Sequence, residues 1–346
     1  MNKITIIGHF GGGTNRLDGQ TIKTKTLFSN LKQYTNWKIY IVDTYYLKNN
    51  PLRLILESAK YLIISKNIIV MLSVNGMRFY FPILYVLAKL FRKNVYHDVI
   101  GGNLAKYARE FKGFKKYLAS FRYNWVETES IQNELISLGL TNCIVVPNFK
   151  NIVPLETSEL VDHEGETFHF CTFSRVMKEK GIEDAVEAVN AINEKAGKVI
   201  CLLDVFGEID SGYKDRFLSL MSKQINAQYC GTVPFDHSIE AICGYDALLF
   251  PSYWKGEGFP GTFIDALSSG VPIIASDWNF NKEIVKDGIT GLIYPGKYVE
   301  NLKDAIRWLM DNREKLREMK RNCLGEAKYY NASTQIQRII EMIEQT

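Results

Sequence analysis

Residues 250–272 read FPSYWKGEGFPGTFIDALSSGVP. The apolar run Ala247–Phe250 has the character of a strand, and Pro251, Gly256, Gly258 and Pro260 then break the chain into a loop. That loop carries one acid, Glu257. It passes into a helical pattern carrying a second acid, Asp265, eight positions later. Gly261 and Thr262 stand where the helix should begin, with Thr262 as its expected N-cap. A helix N-terminus offers free backbone N–H groups and a positive dipole end, which suit an anion. The loop carboxylate can accept hydrogen bonds from hydroxyls. Anion donors beside a hydroxyl acceptor fit a sugar phosphate.

The same strand, loop and helix unit recurs along the chain. Strands are expected at 4–7, 38–42, 68–72, 94–97, 125–128 and 143–146, and again at 168–173, 199–206, 227–230, 247–250, 272–275 and 291–293. Helix-length segments lie at 20–34, 52–64, 78–92, 181–196, 213–224, 236–243, 262–269, 300–311 and 333–345. Such alternation predicts parallel sheets with right-handed crossovers, so α/β architecture with two doubly wound domains. A chain of 346 residues also exceeds one ordinary core. Residues 1–150 form the expected N-terminal domain, 151–166 the linker and 167–330 the C-terminal domain. Residues 331–346 are expected to form a helix packing back toward the first domain. Ligands of such sheets bind beyond the carboxyl ends of the strands, and two carboxyl edges facing each other would define one cleft.

Composition is that of a globular protein, with 46% apolar and 23% charged residues. The N-terminal run MNKITIIGHFGGG is too short before its glycines for a signal peptide. No apolar run reaches the ~18 residues of a membrane span. Six scattered cysteines with no C-x-x-C pair read as reduced, buried side chains, which points to the cytoplasm. The net charge of +4 conceals an asymmetry. Residues 1–150 hold 21 lysines and arginines against 8 acids, while the other 196 residues hold 21 against 30. The basic half attracts anionic partners, an anionic membrane surface, a phosphate-bearing acceptor or nucleic acid, unless its charges form only a solvated face.

Most informative residues fall at strand ends. The loop GHFGGGTNRLDGQT at 8–21 fails the dinucleotide fingerprint, since Arg16 stands where a third glycine belongs, and it lacks a P-loop Gly-Lys-Ser/Thr. It reads either as a turn needing glycine conformations or as backbone approaching an acceptor or donor phosphate. Gly11, Gly12 and Gly13 are the candidates there, with Asn75 after the third strand. His97 and Asp98 end the fourth strand, where a neutral imidazole would meet either a substrate hydroxyl or a structural partner. Ser174-Arg175-x4-Lys180-Gly181 follows the strand at 168–173 and opens a helix. Two cations at that point suit a diphosphate. Glu257 and Asp265 are placed too differently for the paired acids of a hydrolase. No metal-ligand cluster is present, so no metal and no cofactor is expected.

Together these segments resemble the retaining glycosyltransferases of family 4, with the GT-B fold. The stretch from Glu257 to Pro272 resembles the E-x7-E signature. Ser174-Arg175-x4-Lys180-Gly181 stands for Gly-Arg-x4-Lys-Gly, and Phe206-Gly207-Glu208 for a strand-end glycine turn. Asp246 to Ser252 resembles the D-x4-P-S run, and Asn281-x-Glu283 with Asp287-Gly288-x2-Gly291-Leu292 the segment that follows. Pro147-Asn148 matches the P-N before the family's linker.

The resemblance implies a retaining, metal-independent sugar transfer from a nucleotide diphosphate sugar, UDP- or GDP-linked. It implies a glycan acceptor, lipid-linked in assembly of bacterial capsule or lipopolysaccharide, and a cytoplasmic protein peripheral on the membrane's inner face. No nucleic acid partner is implied. Arg175, Lys180, Glu257 and His97 would be catalytic. Gly207, Phe259, Pro260, Gly261, Thr262 and Asp265 would bind the donor. Asp265 is one methylene shorter than the family's second glutamate, Ser174 replaces a glycine, and Pro260 replaces a glycine and its N–H. An epimerase of the same fold and a catalytically silent binding subunit are the competing readings.

Overall fold

Apolar β-branched runs with both faces covered form two six-stranded parallel sheets in the computed structural model, which describes residues 2–13, 19–163, 165–296 and 298–346. The fold is therefore α/β and doubly wound twice, as expected. One compact unit comprises residues 1–151 and 330–346, and the other residues 152–329. Residues 152–163, 165 and 166 group with the second unit; Arg16 and the rest of 14–18 lie outside the described residues.

In the first unit the strands are β1 (Lys3–Gly8), β2 (Lys38–Asp43), β3 (Asn67–Met71), β4 (Asn94–Asp98), β5 (Tyr123–Val126) and β6 (Cys143–Val145). Their order across the sheet is β2-β1-β3-β4-β5-β6. Successive strands are added to opposite sides at β1 and β3, so the loops after these two parallel strands flank the switch point where such sheets bind ligands. The helix Ala332–Glu344 belongs to this unit. Its Ile336, Ile339 and Ile343 enter one apolar core with Ile4, Leu27 and Trp125. Full burial of each such side chain stabilises by roughly 1.5–3 kcal/mol. The amphipathic period of residues 332–344 therefore determines where the C-terminus packs.

In the second unit β7 (Phe168–Phe173), β8 (Cys201–Phe206), β9 (Ala227–Gly231), β10 (Ala247–Phe250), β11 (Ile273–Ser276) and β12 (Gly291–Tyr294) lie in the order β12-β11-β10-β7-β8-β9. Read from the other edge this is the 3-2-1-4-5-6 order of dinucleotide-binding sheets. Its switch point lies between β7 and β10. The loops that follow these strands are 174–181 and 251–260, which carry the motifs singled out in the sequence.

Candidate functional site

Two glycines bring the loops of the second unit together. Gly181 has φ +70°, and a Cβ on it would stand 2.2 Å from the Pro251 carbonyl oxygen. Gly207 has φ +136°, and its Cβ would stand 1.8 Å from the Ser174 carbonyl oxygen. Only glycine permits both backbone approaches. The turn before the helix Ile182–Ala196 can therefore sit on the loop after β10, and the end of β8 can sit against the loop after β7.

On this frame Lys180 and Glu257 meet, with Nζ 2.5 Å from Oε2. Ser252 Oγ donates to the same oxygen at 2.9 Å. Glu257 Oε1 has no protein partner among the described residues. Lys180 Nζ also lies 5.0 Å from the Phe250 ring centroid and 5.3 Å from that of Trp254. Hydrogen bonds tie the loop to its neighbours. Tyr253 N donates to the Glu179 carbonyl at 2.8 Å, and Ser276 Oγ to the Ser252 carbonyl at 2.7 Å. Arg175 is exposed and forms no ion pair among the described residues. One cation is thus fixed against a carboxylate, while the second is free to meet an anion.

The helix Gly261–Ser268 begins as expected, but its cap differs. Pro260 occupies the N-cap with φ −65°, the angle its ring imposes, so the missing N–H strains nothing there. Thr262 is no cap: its Oγ1 is buried without a hydrogen-bond partner. Pro260 and Phe259 are buried, and Gly261 is half-buried. Asp265 is 1% exposed, and its Oδ1 accepts from Ser238 Oγ at 2.8 Å. The carboxylate is thereby held inside the unit by the helix Ser238–Ile242, rather than presented to solvent.

In the first unit the glycine loop is anchored by a residue the sequence did not flag. Asp43, at the end of β2, accepts from Phe10 N at 2.9 Å and from Gly12 N at 2.8 Å through its two oxygens. The Gly12 N–H is therefore committed to Asp43 and not open to a phosphate. Gly11, Gly12 and Gly13 all have positive φ, and the Tyr45 ring lies against Gly12. Asn75 is exposed in the first turn of the helix Val74–Leu90.

His97 departs from expectation. It is fully buried, edge-on to Phe81 with ring centroids 5.1 Å apart, so none of its ring is presented to solvent. Burial pushes its imidazole down to about 3, which keeps it neutral. Its neighbour Asp98 is fully buried too, and Lys23 Nζ lies 2.8 Å from it and 3.1 Å from Glu127. Burial raises the Asp98 pKa against the pull of Lys23. Burial works against charge on Lys23 as well, but its two carboxylate partners raise its pKa overall. Lys23 and Glu127 carry no motif, so only the fold reveals this cluster. Among the described residues no group of three or more histidine, cysteine, aspartate or glutamate side chains is placed to hold a metal ion.

Residues 158–324 match the family described as Glycosyl transferases group 1. An uncharacterized glycosyltransferase of Methanocaldococcus jannaschii is 28% identical over 145 residues, covering 41% of this chain and 36% of that protein. The N,N'-diacetylbacillosaminyl-diphospho-undecaprenol alpha-1,3-N-acetylgalactosaminyltransferase of Campylobacter jejuni is 24% identical over 172 residues, covering 49% of this chain and 43% of that protein. The chain thus spans less than half the length of these relatives. The Anabaena protein HepE, solved in complex with UDP and glucose, superposes with a TM-score of 0.70 at 13% identity over 100% of both chains. The chain has the GT-B fold, and its residues 158–324, which carry Arg175, Lys180, Glu257 and Asp265, bear the sequence pattern of the group 1 glycosyl transferases.

Proposed function

We propose that this protein is a glycosyltransferase that moves a sugar from a nucleoside diphosphate sugar, UDP- or GDP-linked, to a glycan or polyprenyl-linked acceptor with retention of configuration. The observation that carries this reading is the Lys180–Glu257 pair, 2.5 Å apart at the β7/β10 switch point and within the group 1 segment. Lys180, held in place by Glu257 and the Phe250 and Trp254 rings, takes the charge that grows on the leaving diphosphate. Arg175, exposed on the same loop after β7, supplies the bidentate contact. Because two cations neutralise the leaving group, the proposed step requires no metal ion. Glu257 Oε1 accepts a hydrogen bond from a donor-sugar hydroxyl, while Oε2 stays on Lys180 and Ser252. The N–H groups at the start of the helix Gly261–Ser268 hold phosphate or sugar.

The lipid-linked acceptor is supported by the name of the Campylobacter relative and by the basic composition of residues 1–150. Among the described residues no helix is long and apolar enough to cross a membrane. We place the reaction on the inner face of the membrane, in surface-polysaccharide assembly. The test is incubation with UDP- and GDP-sugars and a polyprenyl diphosphate-linked saccharide, followed by NMR of the product. A product with the donor's anomeric configuration is expected. An inverted product, or no transfer from any donor, contradicts the proposal.

A further inference from the structure

The helices Pro51–Ile64 and Val74–Leu90 each carry two apolar stripes. One stripe is buried: Leu54 and Leu62, with the hydroxyl of Ser58 between them, on the first, and Met77, Tyr80 and Leu84 on the second. The other faces outward. Leu52 is 67% exposed, Leu56 62% and Ile63 71%, and on the second helix Ile83 is 40%, Val86 43% and Leu90 73% exposed. A second apolar stripe exposed to water favours burial against a partner.

The two helices lie side by side. Ser58 Oγ and Tyr80 Oη share a hydrogen bond of 2.8 Å. Lys93, just past the second helix, donates to the carbonyls of Ile63 at 2.7 Å and Ser65 at 2.8 Å at the end of the first. Ile63 and Ile64, at the carbonyl end of this clamp, and Leu90 and Phe91, just before Lys93 at its other end, are four exposed apolar side chains brought to one corner by these bonds. Lys60, Lys66, Lys89 and Arg92 each lie within three positions along the chain of one of these side chains, and all are exposed. Residues 58–97 contain no aspartate or glutamate at all.

We propose that this corner is a docking surface for an anionic lipid bilayer, with Ile63, Ile64, Leu90 and Phe91 entering the headgroup boundary and the four cations contacting lipid phosphates. Charge selects the occupant. A second copy of this chain would set one acid-free basic rim against another, whereas an anionic leaflet is complementary to both the cations and the apolar centre. The proposal rests on the membrane location proposed above, but the surface lies on different residues from Lys180 and Glu257, so its failure would leave the donor site untouched.

The test is flotation of the full chain with vesicles of phosphatidylcholine alone and of phosphatidylcholine with phosphatidylglycerol. Wild type should bind only the anionic vesicles, and less as salt rises. Leu90→Gln with Phe91→Gln, both exposed and so compatible with folding, should weaken binding at least about tenfold, and Lys66→Glu with Lys89→Glu comparably. Melting curves matching wild type confirm that the variants fold. No binding by wild type, equal binding by both variants, or a dimer that the Leu90→Gln and Phe91→Gln changes dissociate would overturn the proposal. Binding of UDP reports on the donor site separately.

Discussion

Lys180 Nζ lies 2.5 Å from Glu257 Oε2, and both side chains are about nine-tenths buried. The pair joins loops 77 positions apart in sequence and fixes one cation where β7 and β10 diverge. Losing one partner of a buried pair costs roughly 3–5 kcal/mol, because the other charge stays buried alone. The two cations of the site should therefore respond differently to removal.

Lys180→Ala is expected to lower both turnover and stability. Arg175→Ala, at an exposed residue, should lower turnover alone. For each, kcat should fall by about 10²–10³, the scale for losing one donor to developing negative charge. Steady-state kinetics and urea unfolding separate the two effects. Normal turnover in both variants would remove the diphosphate assignment.

Asp265 is held by Ser238. Ser238→Ala should cost about 1–3 kcal/mol, since a buried carboxylate loses a donor. A double-mutant cycle with Asp265→Asn should show non-additive unfolding free energies. Strict additivity would mean the two side chains do not interact.

Gly207→Ala should destabilise the second unit by at least about 1–3 kcal/mol. Its φ of +136° is strained for any L side chain, and the new Cβ would clash with the Ser174 carbonyl. Nucleotide affinity should fall as well, because Ser174 and Arg175 must shift. An alanine variant that melts like wild type would show that the close approach is absent.

His97 makes stability pH-dependent. Its folded pKa, about 3, lies below the unfolded value of 6.5, so below pH 6.5 the unfolded chain binds the extra proton and stability falls with pH. From pH 7 to pH 5 this contributes a loss of about 2 kcal/mol. Buried Asp98, with its raised pKa, acts in the opposite direction as pH falls through the carboxylate range. Urea unfolding at several pH values should therefore show a shallower loss for His97→Leu than for wild type. Identical slopes would mean that His97 is accessible to protons in the folded chain.

The central strands are legible because a parallel sheet covered on both faces turns them into short apolar runs, such as Ala247–Phe250 or Ile273–Ser276. The helix Arg313–Ala327 is not legible in the sequence: REKLREMKRNCLGEA is mostly charged, and its apolar stripe at Leu316, Met319 and Cys323 is thin. Lys180 and Glu257 could be found from their motifs, but their contact could not, since spacing along the chain does not report proximity across loops. Thr262 failed as a cap because Pro260 takes that position. His97 followed the usual rule for strand ends, yet its side chain points into a layer filled by Phe81 and Phe121, whose packing no local pattern encodes. Asp43 was missed because a single acid at a strand end is indistinguishable from a solvated one until the glycine loop is placed on it.

The central claim is that loops 174–181 and 251–260 bind a nucleoside diphosphate. Thermal unfolding with a panel of nucleoside diphosphates tests it most directly. At 100 times its dissociation constant a ligand stabilises the folded state by about 2.7 kcal/mol, a readily measured shift. UDP or GDP is predicted to raise the melting temperature of wild type and to leave that of Arg175→Ala nearly unchanged. No shift with any nucleoside diphosphate, or an equal shift in the variant, would contradict the account.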